Sequence, residues 1–270
     1  MSLPVAVQVY SVRDDAASNP AGTMKAIKEM GYAGVEFAGL YGLSAKEMKD
    51  IVESNGLVPV SAHVGLNEML DTPEKTFGDY KEIGCKWIAV PHIGPELRVE
   101  SGNFDKTIES IRKAGTIAKQ YGIQLLYHNH DFEFVKVDDE YSLDLMYRVI
   151  PSDLLMTELD TCWVKVAGED PADYVRKYSG KAPIVHLKDF IGSKSESMYG
   201  LIGTGVKGAD SVEFGFKPVG HGVQDVPAII KAAEEAGSQW LVVEQDRPSD
   251  GNSPLECIRM SREYLRSIGY

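Results

Sequence analysis

The feature that most restricts the fold is a unit repeated along the whole 270-residue chain, a short apolar run followed by a segment of helical length and periodicity. The runs are VAVQVY from Val5, AGVEFAG from Ala33, LVPVSAH from Leu57 and KWIAVPH from Lys86, then IQLLYHNH from Ile123, LLMTELD from Leu154, APIVHLKD from Ala182 and QWLVVEQD from Gln239. Each is rich in Val, Ile, Leu or aromatic residues, as strands buried on both faces are. Between them lie segments such as SAKEMKDIVESNG, NFDKTIESIRKAGTIAKQYG and DVPAIIKAAEEAG. Gly31, Gly56, Gly84, Gly122 and Gly237 stand where a helix can end in a left-handed turn. Eight strands alternating with eight helices predict an α/β fold, a single-domain parallel (β/α)8 barrel over residues 1–270 with its active site at the C-terminal ends of the strands. The competing architecture is a doubly wound open sheet, but the first strand runs into YSVRDD rather than a GxGxxG turn. Residues 192–222, with many glycines and small polar residues, predict a long loop after the seventh strand, either a plain insertion or a substrate lid.

The strand ends carry the chemistry. In order they supply Gln8 and Tyr10, Glu36, His63, His92, His128 and His130, Glu158 and Asp160, His186 and Lys188, and Glu244 and Asp246. Five of the six histidines fall at such ends, which a random scatter would not produce. Side chains two residues apart share a face of a strand, so His128 goes with His130, Glu158 with Asp160, and His186 with Lys188. A lone histidine at a strand end is commonly hydrogen-bonded packing. Several imidazoles and carboxylates gathered in one mouth would repel or stay partly protonated unless a cation sat among them. An N/O donor set without thiolate suits Mn, Mg, Co or Zn as a divalent ion.

Other chemistries fit less well. No GxSxG elbow or GxxxxGK[ST] phosphate loop is present. Paired glycosidase carboxylates would leave the histidines unexplained. Cys85, Cys162 and Cys257 are few and far apart, which suits reduced thiols in the cytoplasm, and Cys162 has no evident base to activate it. No apolar run reaches the length of a membrane span. A net charge of -12 argues against a nucleic-acid partner. A small-molecule carbohydrate is the expected partner, and self-association into a homo-oligomer is left open. Lys207 and Lys217 in the long loop are the only hint of an anion site, and solvated lysines explain them as well.

Taken in order, QVYSVRDD, GYAGVEFAGLYG, YHNHDFEF, ELDTCWVKVAGEDP, HLKD, VGHGVQD and VVEQD resemble the xylose-isomerase-like TIM barrels that include sugar phosphate isomerases/epimerases. That superfamily also includes ketose 3-epimerases, inosose and dehydroshikimate dehydratases, and AP endonucleases. The resemblance implies a divalent ion held by a Glu ending the fifth strand, the Asp of LDT, the His of HxKD and a Glu ending the eighth. The last three correspond to Asp160, His186 and Glu244, whereas His128 stands in the place of the first Glu. Trp163 replaces a frequent His, and His221 stands where the family has the Glu of GEG.

Glu158 shares a face with Asp160 on the strand next to His128, and adjacent strands lie about 4.8 Å apart. The expected metal set is therefore Glu158, Asp160, His186 and Glu244, with His128 turned to substrate; the alternative keeps His128 as ligand and Glu158 in the core. The resemblance implies proton transfer next to a carbonyl of a small sugar, keto-sugar or sugar phosphate, an isomerase or epimerase reaction of carbohydrate metabolism. Glu158, Glu244, His128 and His130 are the candidate catalytic groups. Glu36, His63, His92, Glu133 and Lys188 are candidates for holding hydroxyls. The alternative is a metal-dependent dehydratase or lyase of a keto-sugar or keto-polyol. A non-catalytic sugar-binding barrel and an AP endonuclease rank below both.

Overall fold

The computed structural model describes residues 2–194 and 214–270. Eight parallel strands close into a barrel: β1 (Val5–Gln8), β2 (Gly34–Phe37), β3 (Val58–His63), β4 (Trp87–Val90), β5 (Gln124–His128), β6 (Met156–Asp160), β7 (Ile184–Leu187) and β8 (Trp240–Val243). Each pairs with its sequence neighbours, and β8 closes on β1 through Val5–Leu241, Ala6–Val242 and Val7–Val243. The predicted (β/α)8 fold is the observed one. Several expected helices are doubled: Arg13–Ser18 precedes Pro20–Met30, and Leu66–Asp71 precedes Pro73–Ile83. In both cases the second helix begins at a proline, whose missing N–H is not needed in a first helical turn.

Outward-facing strand residues such as Val7, Val35, Ile88, Leu125, Tyr127, Leu159, Val185 and Val243 pack with the helices in one large core. Inside the barrel a second cluster holds Ala6, Val60, Trp87, Ala89, Leu126, Ile184 and Val242, with Met156 and Trp240 packed against it. Two residues further along the same strands the inward positions become Gln8, Glu36, His128, Glu158, His186 and Glu244. The period of two therefore builds an apolar floor and sets polar side chains above it, towards the C-terminal mouth. Gly34 belongs to the floor: a Cβ there would lie 2.7 Å from the Val58 carbonyl oxygen and from the Val60 side chain. The β2–β3 register slips between Val35 and Glu36, which brings Ser61 beside Glu36.

Of the long loop expected over 192–222, positions 195–213, Lys207 among them, lie outside the described residues. The flanks form an antiparallel pair, Asp189–Gly192 with Phe214–Lys217. Lys217 Nζ reaches Asp250 Oδ1 at 2.5 Å, a surface ion pair that occupies its charge. Asp189 organises the return to the barrel, its carboxylate accepting the backbone N–H groups of Phe190, Gly220, Gly222 and Gln224. Gly222 packs so closely there that a Cβ would meet the Asp189 carboxylate at 2.1 Å. A second small antiparallel pair, Lys136–Val137 with Glu140–Tyr141, turns through Asp138 and Asp139, both at positive φ. Among the described residues no helix is long and apolar enough to cross a membrane.

Candidate metal centre

Four donors converge where β5, β6, β7 and β8 end. Atoms of His128, Asp160, His186 and Glu244 all lie within 4.8 Å of one another, and all four side chains are buried. His128 Nε2 is 3.5 Å from Asp160 Oδ2 and 3.9 Å from Glu244 Oε2, while His186 Nδ1 is 3.2 Å from Glu244 Oε2. The local fold aims Asp160. Its Oδ1 accepts the N–H groups of Cys162 at 2.8 Å and Trp163 at 3.2 Å, capping the helix Thr161–Val166 and turning Oδ2 towards the other donors. Asn129 fixes the neighbouring strand end, accepting from Asp160 N at 2.9 Å and donating to Asp160 O at 3.2 Å.

Asp160 Oδ2 is buried and accepts no hydrogen bond. A bare carboxylate oxygen in such a place is costly unless a cation satisfies it. The donor types, two imidazoles and two carboxylates, also suit a divalent ion without thiolate. The residues present therefore fit such an ion.

A second polar layer lies beneath. Glu36 and Glu158 point inwards from β2 and β6, with His63 between them, its Nε2 2.6 Å from Glu158 Oε2 and 3.0 Å from Glu36 Oε1. Gln8 Nε2 donates to Glu36 Oε1 at 2.7 Å, and the Ser61 hydroxyl donates to Oε2. His186 Nε2 lies 2.8 Å from Glu36 Oε1, close as charges although out of line for a hydrogen bond. To one side, Lys188 Nζ meets Asp246 at 2.6 Å, Glu244 at 3.0 Å and Asp160 at 3.5 Å. The same ammonium stands over the rings of Trp163 and Phe216, 5.5 Å and 5.3 Å from their centroids.

The charges follow from these contacts. Burial opposes ionisation of Glu36, but His63 and His186 outweigh it and hold the carboxyl well below its usual range. Burial likewise opposes charge on His63, yet Glu36 and Glu158 push it up to about 10. Glu158 is raised, by burial first and then by repulsion from Glu36. Burial pushes Asp160 up to about 6 against the pull of Lys188. Glu244 is buried too, but Lys188 and His186 hold it well below the carboxylate range. His128 and His130 are depressed, mainly by burial, His128 also by His186 and His63, and His130 by Lys188.

A cavity of about 400 Å³ opens over the centre, lined by His63, His92, His128, His130, Lys188 and Glu244 among the expected residues, and by Tyr10 and Asp246 at strand ends. Glu68 and Tyr80 also line it. They come from helices after β3, where no strand-end pattern signals them. His130 stacks on Phe132 with ring centroids 5.1 Å apart. His92 stands two residues beyond β4, after Pro91.

Three expected roles meet a different geometry. Glu158 is not brought together with Asp160, His186 and Glu244; it groups with His63, His128 and His186, because a residue two positions earlier on β6 sits one layer deeper. Glu36, expected to hold substrate hydroxyls, is wholly buried and taken up by Gln8, Ser61 and the imidazoles. Glu133, expected in the same role, is folded back on its own loop: it accepts from Tyr127 Oη at 2.5 Å and His130 N at 2.7 Å and does not line the cavity. Cys162 is buried, and burial pushes its thiol up, against any nucleophilic role.

A closed parallel barrel with imidazole and carboxylate donors at the strand ends defines a class of metal-site barrel. The family model described as xylose isomerase-like TIM barrel matches residues 24–268, and the chain belongs to that family. An inosose dehydratase of Clostridium botulinum is 26% identical over 269 residues, covering 90% of this chain and 88% of that protein. Among solved structures, a sugar phosphate isomerase/epimerase from Parabacteroides distasonis superposes with a TM-score of 0.78 at 21% identity, covering 100% of this chain and 95% of that one. The IOLI protein with a binding zinc atom gives 0.73 at 15% identity, with 98% of each chain covered.

Proposed function

We propose that the protein is a divalent-metal enzyme that removes a proton next to the carbonyl of a small keto-polyol or keto-sugar. The observation that carries this reading is the convergence of His128, Asp160, His186 and Glu244 on one buried point beneath the cavity, with Asp160 Oδ2 accepting no hydrogen bond. These four residues would hold the ion. A divalent ion there would polarise the carbonyl oxygen and lower the cost of charge developing on it. Glu244 is the base: it lines the cavity, and Lys188 keeps it ionised. His130 lines the cavity as a neutral imidazole and can donate to a developing oxyanion. Lys188 neutralises Asp246 and Glu244 and keeps the proton-accepting carboxylate in place.

Two outcomes share that first step. Dehydration expels the β-hydroxyl as water, which carries off the proton that Glu244 removed; the relatives named inosose dehydratase favour it. One carboxylate of the donor group, Glu244, faces the cavity, and elimination needs a single base. Isomerisation or epimerisation returns the proton instead, and His130 in the cavity wall supplies a group able to return it. A panel of keto-polyols and keto-sugars incubated in heavy water separates them by product mass. Dehydration removes one water, whereas isomerisation keeps the mass and adds solvent deuterium. Asp160→Ala should abolish either product and leave the dialysed protein without its divalent ion by elemental analysis. Ligand binding with no exchange and no mass change across the panel would mark a binding barrel and refute the proposal.

A further inference from the structure

We infer that Glu158 is a positioning residue that makes His128 a metal ligand through Nε2, an inference that rests on the metal centre proposed above. His128 and Glu158 are directly paired across β5 and β6, and both side chains are fully buried inside the barrel. Glu158 Oε2 lies 3.3 Å from His128 Nδ1. The opposite nitrogen, Nε2, faces Asp160 and Glu244. A carboxylate on one ring nitrogen fixes the proton there and leaves the lone pair on the other.

A related arrangement is found on β7 with the nitrogens exchanged, the carboxylate beneath being in charge contact there rather than hydrogen-bonded. His186 presents Nδ1 to Glu244 and Nε2 to Glu36. Each imidazole of the four-donor group is therefore backed by a carboxylate of the layer beneath. His63 braces those two carboxylates against each other at 2.6 Å and 3.0 Å.

A second set of donors, His63, His128, Glu158 and His186, also gathers within reach of a single ion. The two sets compete, since a neutral imidazole has one lone pair and His128 and His186 belong to both. The upper set offers two carboxylates and faces the cavity through His128 and Glu244. The lower set also touches the cavity, through His63 and His128, but it offers one carboxylate, whose Oε2 is already engaged by His63. The upper set gives a divalent ion two carboxylates and two imidazoles, a shell with no net formal charge, and Glu158 serves it from behind.

The test uses Co²⁺ and Zn²⁺ with the purified full chain. Co²⁺ affinity is measured by chelator competition and by visible absorption for the unsubstituted protein, Glu158→Gln, Glu158→Leu and His128→Gln. Glu158→Leu should weaken Co²⁺ by about 10- to 100-fold, the usual cost of losing such a partner, with one ion still bound per chain. Glu158→Gln, which keeps an acceptor oxygen, should lose less, and His128→Gln should lose more than either. Nitrogen-15 spectra of the Zn²⁺-loaded unsubstituted protein add a reading that does not depend on any variant folding. They should show the proton of His128 on Nδ1 and that of His186 on Nε2. The reverse tautomers overturn the inference. So does unchanged Co²⁺ affinity in Glu158→Leu, or an ion lost from Glu158→Gln and retained by His128→Gln. If the unsubstituted protein binds neither ion, the metal-centre reading falls as well; if it binds and only the Glu158 variants are silent, this inference alone is wrong.

Discussion

Lys188 is the most informative side chain to remove, because it is buried to 2% exposure among three carboxylates. Lys188→Met keeps a stem of similar length while deleting the charge, and with it the ammonium that stands over the Trp163 and Phe216 rings. Removing one partner of a buried ion pair costs about 3–5 kcal/mol, since the other charge is left uncompensated. At about 2–4 °C per kcal/mol for a chain approaching this size, the chelated protein should melt roughly 6–20 °C lower. The loss should shrink when a divalent ion is supplied. An ion between Asp160 and Glu244 replaces the missing positive charge for two of the three carboxylates, though not for Asp246. The assay is thermal melting of the unsubstituted and variant proteins, each with chelator and with excess Mn²⁺ or Co²⁺. A chelated variant that melts within about 2 °C of the parent would contradict the electrostatic reading. An equal deficit with and without metal would show that the ion does not sit beside Asp160 and Glu244.

Two further outcomes follow from the geometry. Burial pushes Glu133 up from its ordinary 4.5 to about 7, so the folded state holds the proton more tightly than the unfolded one. Stability should then fall as pH rises from about 4.5 to about 7 and level off above, by up to about 3 kcal/mol from this group. Glu133→Gln should flatten that difference between pH 5 and pH 8 in urea melts, and parallel curves for the two proteins would refute it. Asp189→Ala leaves four backbone N–H groups around residues 190–224 without their acceptor and should cost at least about 2–3 kcal/mol. Faster hydrogen exchange at Gly220, Gly222 and Gln224 would locate the damage, and unchanged exchange there would argue against it.

The barrel was legible because the same two-residue alternation serves both burial and chemistry. Runs such as IQLLYHNH show an apolar stretch giving way to polar groups, and that switch marks the end of a buried strand. Gly31, Gly84 and Gly237 could be placed at helix ends because only glycine adopts φ of 90°, 106° and 77° without strain. That Glu158 lies one layer deeper than Asp160 follows from their spacing, but what each layer does was not legible. Alternation puts Glu158 and Asp160 on one face but does not say that Oδ1 of Asp160 would be spent on capping a helix, leaving Oδ2 to aim at the other donors. Nor could it show that Glu133 turns back to Tyr127 and His130, since that contact depends on the path of a loop. Glu68 and Tyr80 reach the cavity from helices, where the strand-end rule has no bearing.

The residues at 128 and 158 make sense only as a pair. With imidazole at 128, an apolar residue at 158 would leave Nδ1 buried without an acceptor, and the ring free to choose the wrong tautomer. With a carboxylate at 128, Glu158 would face it directly across the β5–β6 register, adding like charge to a layer where Glu36 already repels it. The observed combination avoids both. Two neutral imidazoles and two carboxylates around a divalent ion give a shell with no formal net charge, and Lys188 is left to balance Asp246. Moving Glu158 into that shell would strip His128 of its acceptor and leave His63 with one buried carboxylate in place of two. The deeper carboxylate is therefore more stable where it is, holding an imidazole that would hold the ion.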